Sequence, residues 1–272
     1  MMDHLYSIPT KTTLLAILLY AGTSQAGIVG YWQFSGEDKK EVSAVVSEVN
    51  ESQFDSEITA GNNGPGTLPV YSTDTPGKYI VDGKRGPVIN ERNETSIKFS
   101  GKGSLGSFLQ IFDGDNGTLE LYGPITLEAF VKSNGNTFAS IIMKEEFATT
   151  GSIGIATDYT PTRVRIHSAR ERSSVIDTNK PIGASIDNGD WHHIALVFDG
   201  DNETTLYYDY RPIGTIQGNP TDSWQPNGPL NIGGITGNKQ SGNSLFAGLI
   251  DEVRLTNDQL EPDEFLIARD KH

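Results

Sequence analysis

Three residues with charged or titratable side chains alternate with apolar residues along one short stretch of the chain. Arg163, Arg165 and His167 are separated by single apolar residues, so in a β-strand all three share one face. Arginine pairs with carboxylates and histidine can remove a proton, so this set would suit proton abstraction from an anionic ligand. A solvated charged face is the plainer interpretation. A third is an anion-binding patch without chemistry, extended by Arg170 and Arg172.

One carboxylate is predicted to be buried. Asp251 follows Leu249 and Ile250 inside a run that starts at Phe246, and a buried charge needs a partner. The partner is either a cation or a hydrogen bond from a backbone amide or an arginine. Glu252 should face the other way, because adjacent strand residues point to opposite faces. Retaining glycosidases hold two carboxyl groups about 5–5.5 Å apart, so this pair does not suit that reaction.

Aromatic and imidazole side chains offer two further kinds of site. Trp224 lies in a polar stretch, where a large ring suits contact with a sugar or a protein, unless it packs down onto the fold. Trp191 lies in an apolar run and is expected in the core. His192 and His193 follow it and should point to opposite faces. We therefore expect one buried, hydrogen-bonded histidine and one at the surface, rather than a metal site.

The first 26 residues have the pattern of a secretory signal peptide. Lys11 precedes an apolar run over residues 14–21, and the small residues Ser24 and Ala26 precede the predicted cleavage. The run is too short to cross a bilayer, which takes about 20 residues. We therefore predict a secreted, extracellular or periplasmic domain over residues 27–272, without membrane insertion.

Charge and composition exclude several classes of partner and chemistry. The chain carries a net charge of −14 and has no cysteine. The negative charge argues against nucleic acid and anionic membrane surfaces as partners. The lack of cysteine excludes disulfides, thiol chemistry and cysteine-ligated zinc.

Short β-rich runs between Gly, Asn and Pro turns predict an all-β fold. In residues 125–132, apolar residues alternate with a mixed face that carries Glu128 and Phe130, which indicates a sandwich strand with one solvent-facing side. Residues 36–95 are expected to form a long loop region, 214–244 a second loop, and 257–270 a short closing helix. Strands are predicted at 30–34, 96–99, 108–111, 125–132, 140–144, 152–156, 163–168, 191–199, 204–210, 229–233 and 245–255.

Two of these strands carry a resemblance to a known family. Residues 189–200, which contain the sequence Trp-His-His, and residues 246–255, which contain Ile-Asp-Glu-Val-Arg, resemble the signature of the laminin G-like branch of the concanavalin A-like lectin/glucanase superfamily. The stretches 30–34, 96–101 and 125–132 match other strands of that family in order. The resemblance implies a two-sheet antiparallel β-sandwich, a concanavalin A-like jelly roll, over nearly all of residues 27–272.

The resemblance also implies sites. In related jelly rolls the aspartate of the last strand ligates a structural calcium ion together with backbone carbonyls. Here that aspartate would be Asp251, with carbonyls near Ser35 and Gly101. The glycosidase branch carries a Glu-x-Asp-x-x-Glu type motif, which none of the predicted strands has.

Jelly-roll polysaccharide lyases suggest a different chemistry for the first set of residues. Arg165 would neutralise a uronate carboxylate, and His167 or a tyrosine would act as the base. The candidate tyrosines are Tyr159, Tyr208 and Tyr210.

The sequence favours a secreted, non-catalytic module that binds carbohydrate or a glycosylated surface, with calcium as a structural cofactor. The predicted ligand-binding residues are Trp224, Arg163, Arg165 and His167. One alternative is a polysaccharide lyase that uses Arg165, His167 and a tyrosine. Another is a cell-surface domain for protein–protein adhesion. The sequence does not indicate an oligomeric state.

Overall fold

A computed structural model describes most of the 272-residue chain. The described residues are 27–49, 55–60, 67–76, 94–101, 106–113, 119, 121–133, 135, 138–144, 153–157, 163–168, 174–177, 185–217, 229–235 and 244–266. The predicted signal peptide, residues 1–26, lies outside them.

The described residues form strands and turns, and none of them is in a helix. Nor is there among them any helix long and apolar enough to cross a membrane. In chain order the strands are β1 (Ile28–Trp32), β2 (Asp55–Ala60), β3 (Val70–Ser72), β4 (Ser96–Ser100), β5 (Ser107–Phe112), β6 (Ile125–Ser133), β7 (Ser140–Lys144), β8 (Ile153–Thr157), β9 (Arg163–Ser168), β10 (Ser174–Asp177), β11 (Trp191–Phe198), β12 (Glu203–Tyr208), β13 (Arg211–Gln217), β14 (Leu230–Ile232) and β15 (Ala247–Thr256).

The strands form two antiparallel sheets, which confirms the predicted β-sandwich. The eight-stranded sheet has the order β13-β12-β11-β6-β15-β4-β3, with β1 also paired to β15. The seven-stranded sheet has the order β10-β9-β8-β7-β14-β5-β2. One apolar cluster lies between them and includes Trp32 and Leu127 from the first sheet and Leu109 and Ile155 from the second.

The outer face of the eight-stranded sheet is covered near its centre. Glu128 and Phe130, on the face of β6 predicted to be solvent-facing, are both 0% exposed. Phe265 and Leu266 lie on this face in apolar clusters that include strand residues. The prediction of an exposed mixed face is therefore wrong at this strand, because the chain after β15 folds back over it.

The closing helix predicted over residues 257–270 is not present in its described part, residues 257–266. These residues form bends and a single turn, in which the Glu264 N–H donates to the Glu261 carbonyl at 2.8 Å. The Leu266 N–H donates to a side chain of the sheet, Glu128, at 2.8 Å, rather than to a carbonyl one turn earlier. Contact with the sheet therefore replaces the helical hydrogen bonds that the N-cap pattern predicted.

The two predicted loop regions contain strands. β2 and β3 lie within residues 36–95, where β2 pairs with β5 and β3 pairs with β4. β13 extends into the start of the second region and pairs with β12. Each of these three strands lies at an edge of its sheet, where one side has no strand partner and the apolar pattern is weak. Trp224, in the second region, lies outside the described residues.

Candidate functional site

The face predicted to contact an anionic ligand lies on β9 of the seven-stranded sheet. β9 pairs with β8 on one side and β10 on the other. His167 is opposite Gly154, and Arg165 is opposite Ala156. Residues opposite each other in a sheet share a face. The predicted strand is therefore present, and its alternation assigns Arg163, Arg165 and His167 to one face at the level of the backbone.

A row of polar groups runs across the same face of this sheet. The register continues from His167 through Gly154 and Met143 to Asn231 and Gln110. Gln110 Nε2 donates to Asn231 Oδ1 at 2.9 Å, and Asn231 Nδ2 donates to the Met143 carbonyl at 3.4 Å. Asn231 is buried and Gln110 is partly exposed. This amide pair was not predicted, although the polar Asn231 between the two apolar residues of β14 indicates it.

Two of the three tyrosines considered as a base lie in the other sheet. Tyr208 is in β12 and buried, and its hydroxyl donates to the Ser185 carbonyl at 3.2 Å. Tyr210 follows β12, and its hydroxyl donates to the Leu266 carbonyl at 2.8 Å. The prediction that Tyr208 or Tyr210 completes a catalytic set with the β9 residues is therefore wrong. Tyr159 lies outside the described residues.

The acidic pair of the last strand lies at a β-bulge. The register between β15 and β6 shifts between Asp251 and Arg254, so two residues of β15 oppose one of β6. Ile250 and Val253 both belong to the core cluster although they are three residues apart. The prediction that Asp251 and Glu252 face opposite sides is wrong, because the bulge interrupts the alternation between them. Both carboxylates are buried, so they do not form an open catalytic pair.

The buried state predicted for Asp251 is confirmed, and the bulge is held by hydrogen bonds. Asp251 Oδ1 accepts the Glu252 N–H at 2.9 Å. Glu252 Oε2 accepts the Tyr31 hydroxyl at 2.5 Å, and Gln33 Nε2 donates to the Tyr31 oxygen at 3.1 Å. Glu252 has φ of 50°, in the left-handed region that is costly for a residue with a side chain. These contacts hold the Asp251 carboxylate in place beside a strained backbone.

Ser35, one of the predicted calcium ligands, follows β1, which pairs with the part of β15 just after Asp251. The residues on either side of it bond the Thr95 side chain: Thr95 Oγ1 donates to the Phe34 carbonyl at 2.7 Å and accepts the Gly36 N–H at 3.0 Å. Thr95 directly precedes β4, which pairs with the part of β15 just before Asp251. The Ser35 carbonyl therefore remains a candidate ligand.

Gly101 is placed too far from Asp251 to bind the same ion. A Cβ added to Gly101 would lie 2.6 Å from the Ala247 Cβ, so the two residues are in contact. Ala247 is four residues before Asp251, about 13 Å along an extended strand, whereas calcium–oxygen distances are about 2.3–2.6 Å. The described residues contain no group of three or more His, Cys, Asp or Glu side chains arranged to hold a metal. A calcium ion at Asp251 would therefore need backbone carbonyls other than that of Gly101.

A buried ionic network lies on the outer face of the eight-stranded sheet. Glu128, which is fully buried, accepts Arg254 Nε at 2.6 Å, His193 Nε2 at 2.8 Å and the Leu266 N–H at 2.8 Å. Arg254 also forms an ion pair with Glu128 and donates to the Glu264 carbonyl at 2.8 Å. The network thus joins β6, β11 and β15 to the segment that covers them. From the sequence, this charged residue inside an apolar strand was interpreted as part of a solvent-facing side, whereas it is the centre of a buried network.

The charge of Glu128 is maintained by these partners. Burial alone would raise the pKa of the Glu128 carboxyl, but the Arg254 charge, the His193 contact and the Leu266 N–H lower it, and the net pKa is below its usual range. Glu128 is therefore ionised at neutral pH although it is fully buried. Its hydrogen bonds hold three strands and the covering segment together.

The two histidines of β11 are both buried. His193 is stacked on Tyr210 with ring centroids 4.4 Å apart and is 0% exposed. His192 is 6% exposed, and its two nitrogens lie 2.9 Å from Asp209 Oδ2 and 3.0 Å from Asn188 Oδ1. The expectation of one surface histidine is wrong, because the turn after β12 and the segment before β11 cover the first residues of β11. The two rings have separate hydrogen-bond partners, Asp209 and Asn188 for His192 and Glu128 for His193.

Trp191 is in the core, as predicted. It is 9% exposed and belongs to the apolar cluster on the outer face of the eight-stranded sheet. Its indole N–H donates to Asp74 Oδ1 at 2.9 Å, and Lys132 Nζ lies 2.7 Å from Asp74 Oδ2. Its ring is therefore used for packing rather than for ligand contact.

Comparison with known proteins gives a family match and structural neighbours. A laminin G-type family model, described as concanavalin A-like lectin/glucanases superfamily, matches residues 109–265, more than half of the chain. No curated protein matches the chain. The structure is similar to domain 4 of AbnA, a GH43 extracellular arabinanase from Geobacillus stearothermophilus, in complex with arabinotriose. The TM-score is 0.55 at 15% identity, over 88% of this chain and 96% of that one.

Two further neighbours are parts of larger chains. The binding domain of botulinum neurotoxin DC in complex with SialylT has a TM-score of 0.52 at 8% identity, over 87% of this chain and 49% of that one. A Trypanosoma rangeli sialidase in complex with the inhibitor DANA has a TM-score of 0.52 at 15% identity, over 88% of this chain and 32% of that one. At these identities the likeness concerns the fold.

Proposed function

Because the chain belongs to the concanavalin A-like lectin/glucanases superfamily, we propose that it is a secreted, non-catalytic module that binds carbohydrate or glycosylated surfaces. The observation that carries the proposal is the family match together with a neighbour of nearly the same length, the arabinanase domain in complex with arabinotriose. Fold alone does not fix function, so the ligand must be recognised by particular residues on the surface of the sandwich.

The seven-stranded sheet offers the first candidate ligand face. It combines β9, which carries Arg163, Arg165 and His167, with the partly exposed amide of Gln110, which the buried Asn231 side chain holds in place in the same row of the sheet. Planar amides and guanidinium groups are suited to the hydroxyl and carboxylate groups of sugars. Trp224 remains a predicted ring platform for such a ligand.

Binding without chemistry is favoured over catalysis by the positions of the groups that catalysis would need. A lyase built on Arg165 and His167 would have to use Tyr159 or His167 itself as its base. Tyr208 in β12 and Tyr210 in the turn after it belong to the other sheet, and their hydroxyls donate to backbone carbonyls. The acidic residues of the bulge are buried. Since proton transfer requires a base within hydrogen-bond reach of the substrate, fewer groups are available for a lyase than the sequence suggested.

Affinity electrophoresis of residues 27–272 through gels that contain neutral or anionic polysaccharides tests this proposal. Retardation in one gel, with the polymer left intact, is the expected result. A double variant, Arg165→Ala and His167→Ala, should reduce retardation by an anionic polymer, while Lys98→Ala, an exposed basic residue of the other sheet, should not. If the wild-type protein shortens the polymer and the double variant does not, the proposal is overturned in favour of a lyase. Unchanged mobility in every gel would overturn it in favour of protein–protein adhesion.

A structural calcium ion is a further part of the proposal. The Asp251 carboxylate and backbone carbonyls near Ser35 would supply the hard oxygen ligands that calcium takes. The ion would add fixed positive charge at the bulge, and above its dissociation constant it would stabilise the folded state by an amount that grows with the logarithm of its free concentration.

Thermal unfolding with calcium or with a chelator tests the ion. Calcium at 100 times its dissociation constant would add about 2.7 kcal/mol, and Asp251→Asn should remove that gain. Asp201→Asn, at an exposed acidic residue, is the control and should keep it. A melting temperature that is the same with calcium and chelator would remove the metal from the account.

A further inference from the structure

Two exposed loops meet at one end of the sandwich. The turn between β11 and β12 includes Gly200, and the segment before β6 includes Tyr122 and Pro124. A Cβ added to Gly200 would lie 2.7 Å from Pro124 Cδ and 3.3 Å from the Gly123 carbonyl carbon. Gly200 also has φ of 89°, so the close approach and the turn both require glycine. The two loops therefore form one packed unit, which we call the rim.

Tyr122 is the most exposed of the large apolar and aromatic residues in the described part of the chain. Its exposure is 66%, whereas its neighbour Leu121 is 4% exposed and belongs to the core. Exposing an aromatic ring forfeits the burial that would stabilise it. A ring held in solvent beside a buried residue is suited to stack on a ligand.

The turn beside Tyr122 is held in one conformation by a single carboxylate. Asp199 Oδ1 accepts the backbone N–H groups of Asp201 at 2.8 Å, Asn202 at 3.0 Å and Glu203 at 3.0 Å. Burial alone would raise the pKa of the Asp199 carboxyl, but these hydrogen bonds lower it, so the carboxylate that organises the turn is charged. Rigid loops lose less conformational entropy when a ligand binds.

Polar side chains continue from the rim along the exposed face of β12 and β13. Asn202 Nδ2 donates to Gln217 Oε1 at 2.9 Å, and Gln217 Nε2 donates to Glu203 Oε2 at 3.0 Å. All three residues are exposed. The chain of hydrogen bonds fixes the direction of each amide, so the outward donors and acceptors have set positions.

We propose that Tyr122, Asn202 and Gln217 form a binding subsite for a neutral sugar ring, separate from the arginine-bearing face of β9. The sugar's apolar face stacks on the tyrosine ring, and its hydroxyl groups bond the two amides. The inference rests on the proposed carbohydrate-binding function and specifies a ligand class for this end of the molecule.

Charge decides the ligand class. Asp199, Asp201 and Glu203 place three carboxylates at this rim, and like charges at close range repel an anionic sugar. Arg163 and Arg165 make β9 suited to the opposite class. The rim is therefore suited to neutral sugars and the β9 face to anionic sugars.

The test compares Tyr122→Ala with Tyr122→Phe by affinity electrophoresis in neutral and anionic polysaccharide gels. Loss of the ring should weaken retention by a neutral polymer about tenfold, whereas phenylalanine keeps the ring and should retain most of it. Val46→Ala is a matched control, because Val46 is 56% exposed on another loop and should have no effect. Because Tyr122 is exposed, each variant should melt at the wild-type temperature, which a thermal scan checks.

Three results would overturn the inference. If the wild-type protein is retained by a neutral polymer and Tyr122→Ala is retained equally, the subsite is wrong while the proposed function stands. If the wild type is retained only by anionic polymers and Tyr122→Ala has no effect, the ligand class is wrong. If the wild type is retained by no polysaccharide, the proposed function and this subsite fail together.

Discussion

Replacement of Glu128 by glutamine should destabilise the folded protein strongly. The side chain is 0% exposed and accepts hydrogen bonds from Arg254, His193 and the Leu266 backbone. Glutamine has nearly the same shape, but it is neutral and turns an N–H₂ group toward one of these donors. The Arg254 guanidinium then stays buried without its counter-charge.

The expected loss of stability follows from the Arg254 charge that remains buried without a partner. Removing one partner of a buried ion pair costs about 3–5 kcal/mol, because the other charge remains desolvated. For a chain of this size each kcal/mol lowers the melting temperature by about 2–4 °C, so Glu128→Gln should melt roughly 6–20 °C below wild type. Glu203→Gln is the matched control, because Glu203 is exposed and its loss should cost less than about 0.5 kcal/mol.

Thermal and urea unfolding followed by fluorescence measure the loss, and hydrogen exchange locates it. In Glu128→Gln the Leu266 amide should exchange faster than in wild type, because its acceptor is weakened and the covering segment opens more often. A variant within 1 kcal/mol of wild type, with the Leu266 amide still protected, would refute the view that this network holds the segment on the sheet.

Two further expectations concern pH and packing. The folded-state pKa of Glu128 is lowered, so its stabilising effect is complete above the unfolded-state pKa of about 4.3 and is lost as the pH falls through the folded-state value. The stability gap between wild type and Glu128→Gln, measured by urea titration, should therefore close in acid, and a constant gap would contradict this. Gly154→Ala should cost about 1–3 kcal/mol, because the added Cβ would lie 2.4 Å from the Ile142 carbonyl oxygen and 2.7 Å from Met143 Sδ. At Gly189 no atom lies within 4 Å of an added Cβ, but φ is 84°, so Gly189→Ala should cost only about 1–2 kcal/mol of backbone strain. If Gly189→Ala melts well below Gly154→Ala, the packing explanation for Gly154 is wrong.

The central strands were predictable because their patterns are local. β6 and β11 are long, rich in apolar and β-branched residues, and buried through nearly their whole length, so period and composition agree. Strands β2, β3 and β13 were missed because they are sheet edges. Their pairing depends on a neighbouring strand that is distant in sequence, as for β2 with β5, and a local pattern carries little of that information.

The errors at the candidate sites have a common origin in tertiary contacts. A helical N-cap pattern near Asn257 did not produce a helix, because Leu266 bonds Glu128 across the sheet. Strict alternation at Asp251 and Glu252 failed because a bulge inserts a residue into β15. The outer face of β6 looked solvated because the segment that covers it lies more than 120 residues later in the chain.

The predictions that held were those in which a chemical requirement restricts the environment of one residue. Asp251, preceded by two apolar residues, is buried, and Trp191 is in the core with its indole N–H satisfied by Asp74. Tyr122 was not singled out, because a lone tyrosine before Gly-Pro gives no periodic signal. Its exposure becomes visible only when the packing of its loop against the Gly200 turn is known.

The most direct test of the account is a single experiment on the domain of residues 27–272 that records both its retention by polysaccharides and the length of each polymer afterwards. The account predicts retardation by at least one polysaccharide, with the polymer unshortened after prolonged incubation at stoichiometric protein. Shortened polymer, or mobility that no polysaccharide changes, would contradict it.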